Sequence, residues 1–148
     1  MRVVLQRVES ASVHTVEDQK LGSIELGYLL YIGFTHSDTE ETVKTMSSKI
    51  AKVQLMEDNR GRLGNNIIDA NGKILAIPNF TLYAKTKKPS VGFLESAKPE
   101  QASNLFTTFI DSMITLGLNV ESGKFGAHMI VKSQNDGPVN VIFDSVDW

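Results

Sequence analysis

The segment Asn135-Asp136-Gly137-Pro138-Val139 lies between two apolar runs, Met129-Ile130-Val131 and Val141-Ile142-Phe143, that read as strands. Pro138 has no backbone N–H, so it cannot act as an ordinary ladder donor. Gly137 before it tolerates backbone angles that other residues avoid. An X-Pro bond is also where a cis peptide is accessible, at about 0.5–1 kcal/mol above trans. Asn-Asp-Gly-Pro is strong turn chemistry, and on the residues alone it reads as a hairpin turn that returns the chain on itself.

The 148 residues suit one domain, 1–148, with room for a core. Hydrophobic residues make up 41% and charged residues 22%, an ordinary soluble globular balance. With a formal net charge of −2, wholesale wrapping of nucleic acid is not expected, and a local basic patch is left open. No cysteine is present, which removes disulfides, thiol nucleophiles and thiolate metal sites and fits a reducing cytoplasm. Met1 to Arg7 turns polar too soon for a signal peptide, and no apolar run approaches a membrane span. A cytoplasmic protein with no membrane partner is expected.

Arg2 to Glu9 is β-branched and apolar, a strand, with Ala11 to Val16 as its expected partner and Leu21 to Ile24 as a short return. Tyr28 to Phe34 is apolar at successive positions, as in a strand covered on both faces. Ser37 and Glu40 have capping-box spacing. Val43, Met46, Ile50 and Val53 then form one helical stripe. A short strand, Val53 to Met56, precedes a turn at Glu57 to Gly61. Lys73 to Tyr83 is the next strand candidate, and Ala84 to Lys98 a long loop of the kind that often carries function. Pro99 and Glu100 suit a first helical turn. Ala102, Leu105, Phe106, Phe109, Ile110 and Met113 mark the clearest helix, and Gly117 its stop. Gly126 to Lys132 and Val139 to Asp144 read as two closing strands. Many connections are too short for crossovers, so the expected class is α+β: a mainly antiparallel, curled or barrel-like sheet with two amphipathic helices outside.

None of His14, His36 and His128 has a metal-pair spacing partner, and no HExxH, GxSxG, GxxxxGK[ST] or GxGxxG pattern occurs. No carboxylate spacing singles out an acid–base pair. Backbone groups and substrate groups are left as the candidates for chemistry, with no metal or cofactor expected. Thr81 is the best single nucleophile or hydrogen-bonding side chain, although strand propensity alone accounts for a β-branched residue there. Pro78 interrupts the ladder nearby, so neighbouring N–H groups are free to face a ligand. Lys85-Thr86-Lys87-Lys88 is a compact basic cluster that reads as solvated surface or, beside a pocket, as a phosphate contact.

Several stretches together resemble the D-aminoacyl-tRNA deacylase family. They are Val4-Leu5-Gln6-Arg7-Val8 with Ala11-Ser12-Val13, Phe80-Thr81-Leu82-Tyr83-Ala84 with Thr86-Lys87-Lys88, Pro99-Glu100-Gln101-Ala102, Gly123-Lys124-Phe125-Gly126-Ala127, and Asn135-Asp136-Gly137-Pro138-Val139 with Asp144-Ser145. They run in order over nearly the whole chain.

The resemblance implies a homodimer that hydrolyses the ester of D-aminoacyl-tRNA, or of glycyl-tRNA, with the active site at the subunit interface. It implies that the Gly137-Pro138 bond is cis, enters the partner's pocket and excludes L side chains by a main-chain clash, with Arg7 bracing it. It further implies that the Phe80 and Thr81 N–H groups hold the ester carbonyl and that the terminal ribose 2′-hydroxyl moves the proton. Thr81 as nucleophile is the lesser mechanism. Asn79, Gly137, Pro138, Arg7 and Met129 are the implied substrate contacts, and Lys85, Lys87 and Lys88 the implied tRNA contacts.

The chain departs from the family at Pro78 and Asn79, where the family has Ser-Gln, and at Asn140, usually Thr. Its loop Pro89-Ser90-Val91-Gly92-Phe93 also lacks the family's basic stretch. A tRNA-binding module with weakened turnover, and a deacylase with altered chirality preference, are the alternatives these departures raise.

Overall fold

The computed structural model describes residues 1–87 and 89–148 and is organised on one long strand, β1 (Arg2–Thr15). The expected partners Arg2 to Glu9 and Ala11 to Val16 are this single strand. Its return is β2 (Lys20–Ile24), paired antiparallel from Ala11↔Ile24 to His14↔Lys20. Next comes β3 (Gly27–Gly33), antiparallel to the first half of β1 and buried at every position but Tyr31, as its unbroken apolar run predicts.

Helix α1 (Glu40–Lys52) carries Val43, Met46 and Ile50 inward. Its cap is Thr39, not Ser37. The Thr39 side chain accepts the Thr42 N–H, and the Thr42 hydroxyl accepts the Thr39 N–H. Val53 ends the helix, so the expected strand from Val53 begins only at β4 (Met56–Glu57), which pairs with β5 (Leu63–Asn65).

Strand β6 (Lys73–Pro78) runs parallel to β3, and β7 (Val120–Ser122) parallel to β6. Each parallel step holds a helix in its crossover, α1 in the first and α2 (Pro99–Thr115) in the second. The sheet is therefore mixed, though three of its five pairings are antiparallel, and β4 and β5 form a small sheet of their own. Pro99 opens α2, and Gly117 closes it at φ 90°.

The two expected closing strands are one, β8 (Met129–Asp144), antiparallel to β1 along its whole length. The turn reading of Asn135 to Pro138 is thus corrected, because the chain continues in the same direction past it.

The path β2-β1-β3-β6-β7 curls until its ends meet. A Cβ placed on Gly22 of β2 would lie 3.3 Å from both the Glu121 Cβ and the Ser122 carbonyl oxygen of β7. The curl gives the sheet two cores. Inside it Val8, Val13, Leu29, Leu75 and Ile77 pack together. Outside it Leu5, Leu30, Ile32, Ile74 and Ala76 pack under α1 and α2 against Met46, Ile50, Phe106 and Phe109. Alternate residues of β3 and β6 serve the two cores in turn, which is why neither strand shows a polar face. Among the described residues no helix is long and apolar enough to cross a membrane.

Candidate active site

Strand β6 ends where its donors run out. Pro78 pairs with Ile32 but offers no N–H, and Asn79 makes the last ladder bond, N–H to the Ile32 carbonyl at 2.7 Å. The chain then turns through one 3-10 turn, Phe80–Tyr83, so the strand expected to reach Tyr83 stops five residues early. Asn79 caps the turn. Its Oδ1 accepts the Thr81 N–H at 3.2 Å and the Thr81 hydroxyl at 2.5 Å.

Phe80 is 58% exposed and stands edge-on to Phe93, with ring centroids 5.0 Å apart. Ser96 donates its hydroxyl to the Phe80 carbonyl at 3.1 Å. The Phe80 N–H makes no hydrogen bond to the described residues.

These groups border a cavity of about 430 Å³ between the ends of β3 and β6, the loop before α2 and the Phe125-Gly126 turn. Its walls are mainly apolar, with Phe34, Pro78, Phe80, Phe93 and Phe125 prominent and Lys98 at its edge. The volume suits a small ligand group. Among the described residues that line it there is no histidine and no carboxylate, so proton transfer by such a side chain is not provided for. Nor do any three His, Asp or Glu side chains among the described residues converge as metal ligands would. His14 contacts Ser12 and Asp18, His36 lies against the Leu94 carbonyl, and His128 is exposed.

The other candidate residues form a second cluster. Gln6 pairs with Asn140 and Val8 with Asn135, so Asp136 to Val139 bulge out opposite Arg7 alone. The Gly137-Pro138 peptide is cis, and Gly137 has φ 125°. Arg7 is 3% exposed and fills the space behind the bulge. Its Nε reaches the Asp136 carbonyl at 3.3 Å and the Asp136 carboxylate at 3.2 Å, and its Nη1 the Leu55 carbonyl at 3.0 Å. Asn140 has a definite place here: its Oδ1 accepts the Asn135 side-chain N–H at 3.0 Å across the neck of the bulge.

Tyr28 pairs with Arg7 and is wholly buried; that burial pushes its hydroxyl pKa up to about 12, opposed by the nearby Arg7 charge. Met129 starts β8, half-buried, with its sulfur 3.4 Å from the Lys124 N–H.

One chain does not bring the two clusters together. Arg7 pairs with Tyr28, and Tyr28 with Ile74, whereas the cavity begins at Pro78 opposite Ile32. Four residues along the strands and the three strand spacings from the bulge on β8 to β6 correspond to a separation on the order of 20 Å along the sheet. None of Arg7, Met129, Gly137 and Pro138 lines the cavity. Lys85 and Lys87 are exposed on the loop after the 3-10 turn, where Lys85 bonds Gly92 main chain to main chain at 2.8 and 3.0 Å. Lys88 lies outside the described residues. Phe93 and Phe125 line the cavity with no sequence motif to mark them as pocket walls; their one signal is their position in the long loop and in the Gly-Lys-Phe-Gly segment.

A D-aminoacyl-tRNA deacylase of Halalkalibacterium halodurans is 45% identical over 98% of this chain and 99% of its own length. One of Bacillus pumilus is 41% identical over 98% and 99%. A solved structure, c-Myc DNA Unwinding Element Binding Protein, superposes with a TM-score of 0.91 at 30% identity, covering 97% of this chain and 98% of that one. The family described as D-Tyr-tRNA(Tyr) deacylase matches residues 4–144, and the chain belongs to it.

Proposed function

We propose that this chain hydrolyses the ester bond of D-aminoacyl-tRNA, and of glycyl-tRNA, releasing the amino acid and free tRNA. The observation that carries the reading is an apolar cavity lined by Phe80, whose N–H is unengaged among the described residues, in a member of a deacylase family. The ester carbonyl sits against that N–H. Water attacks the carbonyl carbon, the N–H stabilises the developing oxyanion, and the ribose 2′-hydroxyl passes the water's proton to the departing 3′-oxygen. One such donor contributes about 2.7–4 kcal/mol to the transition state. The Thr81 N–H, bonded to Asn79, joins it only when that side chain turns away.

Discrimination is assigned to Gly137 and Pro138 of a second copy of the chain. Their carbonyls enter the cavity on the side where an L side chain would project. Support for a second copy is the separation of bulge and cavity within one chain, and Arg7 braces the bulge from behind. Lys85, Lys87 and Lys88 are assigned to the tRNA backbone.

The test is to compare hydrolysis of D-Tyr-tRNA and L-Tyr-tRNA by the purified protein. Fast release from the D ester alone is expected, and equal rates or no release from the D ester overturn the reading. A second reading follows from Asn79, whose carbonyl occupies both the Thr81 N–H and hydroxyl: a tRNA-binding protein with weakened turnover. Tight binding of charged tRNA without hydrolysis would select it.

A further inference from the structure

The 3-10 turn that brings Phe80 to the cavity is held at its other end by a residue that does not line the cavity. Arg2 lies at the start of β1, opposite Gly33 of β3 and Asp144 of β8. Its Nη1 donates to the Leu82 carbonyl at 2.7 Å, and its guanidinium carbon lies 4.9 Å from the centre of the Tyr83 ring. The guanidinium is in turn held by Asp144, whose Oδ2 lies 2.7 Å from Nε and 2.6 Å from Nη2. Asp144 is buried and also caps the last turn of the chain by accepting the Val146 N–H at 3.2 Å.

Apart from Arg2, the side-chain hydrogen bonds to the turn come from its own cap, Asn79, and from Ser96. The planar fork of an arginine can hold a carbonyl and a carboxylate at once, which a lysine ammonium on a flexible stem does far less rigidly.

We infer that Arg2 is a positioning residue for the reaction. By clamping Leu82 and Tyr83 to Asp144, it fixes the orientation of the turn and with it that of the Phe80 N–H beside the cavity. It contacts no substrate, and its effect passes wholly through the 3-10 turn. The inference rests on the proposed deacylase activity for its kinetic consequence, but the clamp itself can be read without that activity.

Arg2→Ala and Arg2→Lys should each bind charged tRNA with a KM within about twofold of the parent protein. In Arg2→Ala kcat should fall about 10²-fold, the scale of a misplacement near 1 Å. Arg2→Lys should recover only part of that loss, and millimolar ethylguanidinium should restore turnover to Arg2→Ala but not to Arg2→Lys. Asp144→Asn, which keeps the shape but weakens the clamp, should fall between the parent and Arg2→Ala. A folded Arg2→Ala with kcat within threefold of the parent, or a loss carried by KM, overturns the inference.

Amide exchange separates this failure from that of the deacylase reading. The Leu82 and Ala84 N–H groups bond within the turn, to Asn79 and Thr81. Their exchange should quicken at least tenfold in Arg2→Ala while the Phe109 amide in α2 is unchanged. Unchanged exchange at Leu82 and Ala84 sinks the clamp, whatever the protein does to esters. A parent protein inert on D-Tyr-tRNA sinks only the proposed function.

Discussion

Thr81 is the hydroxyl side chain that the sequence singles out, and its surroundings argue against use as a nucleophile. Its hydroxyl gives its proton to the Asn79 carbonyl, an amide oxygen too weak a base to keep it, and no histidine or carboxylate among the described residues lines the cavity to take it onward. Thr81→Ala should therefore retain kcat within about tenfold of the parent, because the Phe80 N–H is untouched. Single-turnover hydrolysis of D-Tyr-tRNA checks this, and complete loss in a folded variant that still binds tRNA would restore the covalent mechanism. On the residues alone Thr81 stands out as a hydroxyl and Pro78 as a break in the ladder, and only the resemblance to a known motif joins Phe80 and Thr81 as a candidate site. Nothing in the spacing of the residues says that Thr81 is bonded and Phe80 is not, because that depends on which way the Asn79 side chain folds back.

At the scale of elements, periodicity exposed α2 and β3 and misread the joints. Ser37-Asp38-Thr39-Glu40 and Thr39-Glu40-Glu41-Thr42 both offer a hydroxyl three residues ahead of a partner, and local sequence does not rank them. The buried Asp38 does. Its carboxylate accepts from the Met1 amino group and from the Thr35 N–H at 2.7 Å, which holds residues 35–38 outside the helix and leaves the cap to Thr39. Thr39→Ala should cost about 0.5–2 kcal/mol in urea denaturation. Ser37→Ala should stay within about 0.5 kcal/mol, and the reverse order would return the cap to Ser37. A hairpin turn and a bulge share the same Asn-Asp-Gly-Pro chemistry. What makes residues 136–139 a bulge is the pairing of β1 with both halves of β8, a contact more than a hundred residues distant in sequence. Strand β7, only three residues long, offered too short a period to be seen.

For the molecule as a whole, the proposed discrimination turns on which chain would supply the Gly137-Pro138 bulge to a given cavity. Two variants decide it. Phe80→Pro removes the N–H donor at the first position of the 3-10 turn, a place proline tolerates, and should lower kcat about 10²–10³-fold. Gly137→Val places a Cβ 2.8 Å from the Val139 nitrogen at φ 125°, so the bulge must shift and discrimination between D and L esters should be lost. A heterodimer of one chain of each kind has a single working floor, that of the Gly137→Val chain. If the bulge is supplied by the partner, this floor faces the intact bulge of the Phe80→Pro chain, and D-over-L discrimination returns. If each chain supplies its own, the same floor faces the displaced bulge and the heterodimer hydrolyses without discrimination. The separation on the order of 20 Å within one chain favours the first outcome, and purified, differently tagged heterodimers assayed on both esters read it directly.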